Sequence, residues 1–261
     1  MPPATRQTSA MEFVEPADFY TGLVSELYTP LRSVDPDPEP YARFVARTGE
    51  PALELGCGDG DPLLELRRRG LDVEGLDSSA DMLDRCRARA TDRGVDVVLH
   101  HSPIESMDLG QRYRSIFLAG PTFNLIVDDD TALRALERIR IHLEPEGAAL
   151  IPLFVPDPVD PRVLGRAKEL RTEHGETLRC TYVSVHRDDA SRRQSAGLRY
   201  ERISGGETTV LEREWVLHWH TQAGFRDLVT DAGLRVRTVL GGDGRPATDD
   251  AGEFVFIVGV A

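Results

Sequence analysis

The run Glu54–Gly60, ELGCGDG, places an acidic side chain just before three alternating glycines. Glycines at that spacing let a backbone turn sharply and approach a ligand with no Cβ in the way. A dinucleotide fold asks for G-x-G-x-x-G, whose loop holds a pyrophosphate against a helix N-terminus. Counted from Gly56, the last glycine of that pattern would fall on Asp61, so the spacing here is G-x-G-x-G instead. An acidic loop suits a ligand carrying an ammonium and a sulfonium better than one carrying a pyrophosphate. Nineteen positions after Gly58, Asp77 closes the segment LDVEGLD. A carboxylate at a strand tip can accept both hydroxyls of an adenosine ribose, a role common to nucleotide cofactors. Either feature alone fits a plain tight turn or a solvated acid. The two in register point to a nucleoside site.

Elements of two kinds must position these residues. PALEL (Pro51–Leu55) is a short apolar run, and Pro62–Arg69 reads as a helix capped by Asp61 and stopped by Gly70. Leu71–Asp77 is a second strand, Ser79–Arg93 a second helix closed by Gly94, and Val95–His101 a third strand. Tyr113–Gly120 makes a fourth strand, Asp128–His142 a helix and Gly147–Phe154 a fifth strand. Such alternation implies a parallel sheet covered on both faces. Beyond Val155 the pattern changes to TLRCTYVSVHRD, SAGLRYERIS and TTVLEREWVLHWH, an antiparallel three-strand meander. A helix at Thr221–Ala232 and the strands GLRVRTVL and EFVFIVGV return the chain to the main sheet. Before all this, Ala17–Tyr28 has apolar residues at helical spacing, and a proline-rich link, Asp35–Pro40, leads to a second short helix at Tyr41–Thr48.

The expected organisation is a disordered segment at 1–15 and a helical lid at 16–50. A cofactor-binding core follows at 51–155, then an antiparallel insertion lining an acceptor pocket at 156–220, and a return to the core at 221–261. With 261 residues, 40% of them hydrophobic, the chain can bury a core of that size. Its start lacks the features of a secretory signal, and no apolar stretch reaches membrane-span length. Cys57, Cys86 and Cys180 show no paired spacing and read as reduced thiols, so a cytoplasmic protein is expected. A net charge of −13 argues against nucleic acid as a partner. The single lysine, Lys168, among many arginines reflects codon usage. In WVLHWH, alternation puts Trp215, Leu217 and Trp219 on one strand face and Val216, His218 and His220 on the other. No metal is expected, because these histidines lack a ligand spacing and Asp128–Asp130 reads as a negative helix start.

ALELGCGDG, VEGLDSSADML and HLEPEGAALIPLF resemble the successive motifs of class I S-adenosylmethionine-dependent methyltransferases, over about Pro51 to Phe154 and, more loosely, the C-terminal hairpin. YTGLVSELYTPL, VVLHH and the late meander resemble small-molecule N-methyltransferases, nearest to those that dimethylate amino sugars and more distantly glycine N-methyltransferase. The resemblance implies a Rossmann-like α/β fold: a seven-stranded, mainly parallel sheet, helices on both faces, and an antiparallel β insertion between strands 5 and 6. It implies S-adenosyl-L-methionine as cofactor. Glu54, Gly56, Cys57 and Gly58 would lie under its methionine part, Asp77 would hold the ribose, and Ser78 and Met82 would border the adenine. Leu118 and Ala119 would run along the ribose and methionine. Pro103 departs from the pattern, since relatives often carry an acid there to accept from the adenine amino group. Ile104 would supply a backbone N–H instead, with Ser102 or Glu105 replacing the acceptor.

Methyl transfer from a sulfonium is an in-line displacement, and the protein must mainly hold the acceptor atom about 3 Å from the methyl. A neutral amine needs little more; a hydroxyl needs a base. Tyr20 and Tyr28, eight positions apart on one helix face, would close over cofactor and acceptor by analogy with the sugar N-methyltransferases, Tyr20 as a catalytic residue and Tyr28 against the cofactor. Asn124 stands where some relatives carry a histidine; its amide orients an acceptor but takes no proton at neutral pH. His220 is the candidate base should the acceptor be a hydroxyl. The expected activity, in secondary metabolism, is methylation of a nitrogen on an amino sugar or other amine-bearing small metabolite. The alternatives are O-methylation of a natural product or saccharide, a non-catalytic binding module, and a dehydrogenase, against which the glycine spacing counts. A homodimer is compatible with the sequence.

Overall fold

The change of period after Val155 divides the strands between two sheets. The computed structural model describes residues 18–32, 36–242 and 244–261. The expectation for 1–15 lies outside the described residues, as does the first residue of the proline-rich link. In chain order the strands are β1 (Ala52–Leu55), β2 (Val73–Asp77), β3 (Leu99–His101), β4 (Tyr113–Leu118) and β5 (Leu143–Phe154). Then come β6 (Ala167–Arg171), β7 (Thr177–Asp188), β8 (Arg193–Ser204) and β9 (Glu207–His218), followed by β10 (Leu234–Gly241) and β11 (Glu253–Val260). The first sheet has seven strands in the order β10-β11-β5-β4-β1-β2-β3, and the second has four in the order β6-β7-β8-β9. In the first, β1 to β5 run parallel and β11 is antiparallel to both of its neighbours. This is the mainly parallel sheet with an antiparallel insertion between its fifth and sixth strands that the sequence predicts.

Strand order reverses around β1, the place where open α/β sheets bind ligands at their carboxyl edge. Leu55 pairs with both Leu76 and Leu118, so the glycine turn, Asp77 and Ala119 leave the sheet side by side. The helices are α1 (Leu23–Leu31), α2 (Glu39–Thr48), α3 (Leu63–Arg68), α4 (Ala80–Arg93), α5 (Asp129–His142) and α6 (Gln222–Asp231). Alternation along β1 sends Leu53 and Leu55 to one face, against α5 and α6, and Ala52 and Glu54 to the other, against α2, α3 and α4. The caps follow local chemistry. Ser79 accepts from Met82 N at the start of α4, Gly94 closes that helix in the left-handed region, and Asp128 and Thr221 cap α5 and α6. None of the described helices is long and apolar enough to cross a membrane.

Several features differ from expectation, among them four with a clear physical reason. The first helix begins at Leu23 rather than Ala17, because Gly22 has φ 55° and the carbonyls of Asp18, Phe19 and Thr21 all accept from Arg213 of β9. Asp61 does not cap α3; its carboxylate faces Arg32 and Arg89. The third strand keeps only three residues, since Val95 N returns to Ala90 O to finish α4. The second sheet has four strands, not three: AKELR pairs with β7 along an edge where all five residues are exposed, so it carries no apolar alternation to read.

Candidate active site

Two tyrosines on the N-terminal segment separate two cavities. The first, of about 410 Å³, lies over the carboxyl ends of β1 and β2 and is bordered by Gly56, Gly58, Asp77, Met82 and Ile104. The second, of about 660 Å³, lies between α1 and the second sheet. Tyr20 and Tyr28 line both, meeting edge to face with ring centroids 5.5 Å apart. Both volumes fall within the range of small-molecule sites, about 300–1,000 Å³.

The first cavity is shaped by backbone. Gly56 has φ 71°, and a Cβ there would stand 2.5 Å from Thr122 Cγ2, so only glycine lets the turn pass beneath the loop after β4. Gly58 has φ 53°, and its N–H donates to Asp77 Oδ2 at 2.8 Å. Ser79 N donates to Asp77 Oδ1, also at 2.8 Å. Two backbone donors thus fix the carboxylate while it still borders the cavity. Burial pushes the Asp77 pKa up, against the pull of those donors. Met82 and Ile104 supply an apolar floor suited to a flat heterocycle, Ile104 opening a short 3₁₀ turn after Pro103. Ser78, Pro103 and Ser102 complete that end.

Glu54 lies beneath the loop, fully buried, and neither carboxylate oxygen has a hydrogen-bond partner. Burial first, then the charges of Asp61 and Asp77, raises its pKa well above the usual carboxylate range. Beside it, Asp59 and Asp61 bind Arg32, just past the end of α1, and Arg89 of α4, and Thr29 of α1 donates to Asp59. α1 is therefore tied to the glycine turn. Its other ties are Tyr20 O, which accepts from Ser79 Oγ at 2.6 Å, and Gly22 N, which donates to Asp81 at 2.5 Å. Its apolar stripe of Leu23, Val24, Leu27 and Leu31 is buried against Leu178, Ala196, Leu198 and Tyr200 of the second sheet. Each such side chain contributes about 1.5–3 kcal/mol when fully buried.

The second cavity is mostly apolar and aromatic, with Leu198, Tyr182, Tyr200 and Trp215 among its walls. Its charged lining residues, Arg32, Arg166 and Lys168, are all cationic. No histidine or carboxylate lines it among the described residues. Burial raises the pKa values of Tyr20, Tyr28, Tyr182 and Tyr200, so these phenols stay protonated at neutral pH and act as hydrogen-bonding groups rather than bases.

Of the residues singled out from the sequence, Tyr20, Tyr28, Gly56, Gly58, Asp77, Ser78, Met82, Pro103 and Ile104 border the first cavity. Glu54, Cys57, Leu118 and Ala119 stand behind it and do not line it. Asn124 and His220 lie away from both cavities. The Asn124 amide is fully buried and occupied: Nδ2 donates to Phe154 O and His218 O at 3.0 and 2.9 Å, and Oδ1 accepts from Phe154 N at 3.2 Å. It bolts the two sheets together and has no free group for an acceptor. His220 is fully buried between Phe123, Phe225 and His218, where burial and the neighbouring imidazole push its pKa down to about 3. Sequence reasoning missed Thr122, the stretch 125–128, Thr131 and Arg134, which line the first cavity from beyond β4. The rule that ligands sit at strand carboxyl ends pointed to that loop. Nothing local marked Tyr182 or Tyr200.

Residues 52–147 match the family model of a methyltransferase domain. The chain is an S-adenosylmethionine-dependent methyltransferase. It is 27% identical over 237 residues to dTDP-3-amino-3,6-dideoxy-alpha-D-glucopyranose N,N-dimethyltransferase of Streptomyces fradiae, covering 85% of this chain and 88% of that one. Its fold is similar to that of the CcbJ methyltransferase from Streptomyces caelestis, with a TM-score of 0.72, 24% identity, and coverage of 91% of this chain and 96% of that one. It is also similar to CalS10 with S-adenosylmethionine bound, an amino pentose methyltransferase from Micromonospora echinaspora (TM-score 0.64, 20% identity, 92% and 97% coverage). The methyltransferase's first cavity fits that cofactor. A glycine turn that a Cβ would block, a buried unpaired carboxylate below it and a backbone-held aspartate beside it suit an amino-acid-bearing nucleoside. A pyrophosphate would meet repulsion from the same acids.

Proposed function

We propose that the methyltransferase methylates the amine of an amino sugar, or of a small metabolite carrying one, and that the acceptor sits in the second cavity. The carrying observation is the lining of that cavity. An apolar chamber whose charges are all positive disfavours an ammonium and keeps an amine in its neutral, nucleophilic form. A hydroxyl acceptor would need a base, and none lines the chamber among the described residues. The sugar N-methyltransferases among the relatives support the same acceptor class.

In this reading Asp77 would hold the ribose hydroxyls, Met82 and Ile104 the adenine, and Gly56 and Gly58 the methionine end. When bound, the cofactor supplies a methyl group whose bond to sulfur breaks with the electron pair remaining on sulfur. The protein's share is placement. Tyr20 and Tyr28 border both cavities, so their phenols orient the acceptor nitrogen on the transfer axis and keep bulk water from it. The net charge of −13 and the three free cysteines support action in the cytoplasm on a small molecule, without nucleic acid or membrane as partner.

The test is a direct assay with a nucleotide-linked amino sugar and its hydroxy counterpart, products read by mass. One or two methyl groups on the amine are expected, with the rate rising as pH approaches the amine pKa. Turnover of the hydroxy sugar alone would overturn the reading.

A further inference from the structure

A second cluster of chemistry-bearing residues lies where β9 leaves its sheet. His218 and His220 are 2% and 0% exposed and face the first turn of α5. Asp129 Oδ1 stands 3.5 Å from His218 Nε2 and 3.5 Å from His220 Nδ1. Among the described residues this is the one group of three such side chains whose ligand atoms all lie within 4.8 Å of one another. Asp129 Oδ1, His220 Nδ1 and His220 Nε2 are buried with no hydrogen-bond partner. Buried polar atoms left in that state are costly, and Asp129 Oδ1 faces one nitrogen of each imidazole, an arrangement that an electrophile between them would satisfy.

We propose that Asp129, His218 and His220 form a binding site for a divalent transition-metal ion, zinc foremost. Two imidazoles and a carboxylate are a borderline-soft donor set of the kind zinc takes. Tetrahedral zinc with ligands at about 2.0–2.1 Å has ligand–ligand edges of about 3.3–3.4 Å. The two edges at Asp129 are 3.5 Å and the edge between the histidine nitrogens lies within 4.8 Å, so closing the cluster asks mainly that the two imidazoles turn toward each other. Asp129 Oδ2 is held by Arg192, which fixes the carboxylate as an outer partner does in metal sites. Arg192 and the N-terminus of α5 add positive potential, which the flanking Asp128 and Asp130 offset. The half-exposed Asp129 side leaves water as the fourth ligand. The ion would act as a clip, joining the helix that closes the cofactor cavity to the end of the acceptor sheet, and it reverses the expectation of no metal. That expectation rested on histidines without a ligand spacing and on Asp128–Asp130 read as a negative helix start; the sequence does not show that Asp129 meets both histidines.

The full chain, freed of metal with a chelator and exchanged into clean buffer, is titrated with zinc chloride against a chromophoric competitor and with cobalt(II) in the visible range. One equivalent bound with micromolar or tighter Kd, the intense cobalt bands of tetrahedral coordination and a raised Tm are expected. Asp129→Asn and His220→Gln should each weaken binding by more than about 100-fold, beyond the roughly 10–100-fold lost with an outer partner. His174→Gln, at an exposed turn, should leave it unchanged. If His220→Gln does not fold, Asp129→Asn at its half-exposed position decides alone. Absence of stoichiometric zinc, or binding that survives loss of Asp129, overturns the proposal.

Discussion

The two cavities share Tyr20 and Tyr28 yet are built in opposite ways. The first is held by backbone: glycines in the left-handed region, N–H groups on Asp77, and strand ends fixed in register. The second is held by side chains, with the apolar stripe of α1 lying on the second sheet and Arg213 gathering three carbonyls of the entering chain. A backbone-built site tolerates one ligand and resists change; a wall of side chains can be recut for a new acceptor without disturbing the fold. On the function proposed above, the first cavity holds the cofactor and the second sets acceptor specificity.

The sharpest way to break that division is Asp77→Ala. It removes a charged acceptor worth about 1.5–3 kcal/mol per hydrogen bond, so affinity for S-adenosylhomocysteine should fall at least about 100-fold by calorimetry. Undiminished affinity would dissolve the cofactor assignment. Next in size is Arg213→Met, which keeps the aliphatic stem but releases the N-terminal segment. A loss of about 1.5–3 kcal/mol is expected, seen as a drop of several degrees in Tm together with weaker binding of both ligands. An unchanged Tm would mean that α1 docks without this clasp. Tyr182→Ala, which touches only the second cavity, should raise KM for the acceptor about tenfold while cofactor affinity stays within about twofold. An equal effect on both ligands would show the cavities to be one site.

Acidity offers two smaller tests. Because burial raises the Asp77 pKa, its accepting form is lost at a pH above the ordinary value of about 3.9, and cofactor affinity should fall as pH drops through that raised pKa. Asp77→Asn should flatten the profile. For folding of the empty protein the sign is reversed. A carboxylate with a raised folded pKa contributes stability that is fully present below its unfolded value and lost as pH rises through the folded one. Glu54, raised the same way, should therefore limit stability at neutral pH, and Glu54→Gln should raise Tm at pH 7 more than near pH 4. The same substitution should weaken cofactor binding; a gain in Tm without that loss would make Glu54 a passenger.

Legibility differed between these regions for a physical reason. Ser79, Asp128 and Thr221 act as caps within a turn of themselves, so the starts of α4, α5 and α6 were readable from the chain. Glycine spacing and the strand-end acid are likewise local. Asn124 and His220 were expected at the acceptor because their side chains suit it. Their actual neighbours include Phe154 and His218 for Asn124 and Phe123 for His220, which come from distant segments and leave both side chains buried in a seam. The exposed edge strand β6 carried no apolar period to betray it.

By itself the sequence determined the parallel core, the glycine turn and the carboxylate beside it, since each depends on backbone conformation over a few residues and on strand ends that must emerge together. Only the tertiary structure decided which tyrosines wall the second cavity, that all its charges are positive, and that Asp129 meets two histidines from the far end of the second sheet. Those are contacts across the fold, set by how two sheets and one helix pack, and no local spacing encodes them.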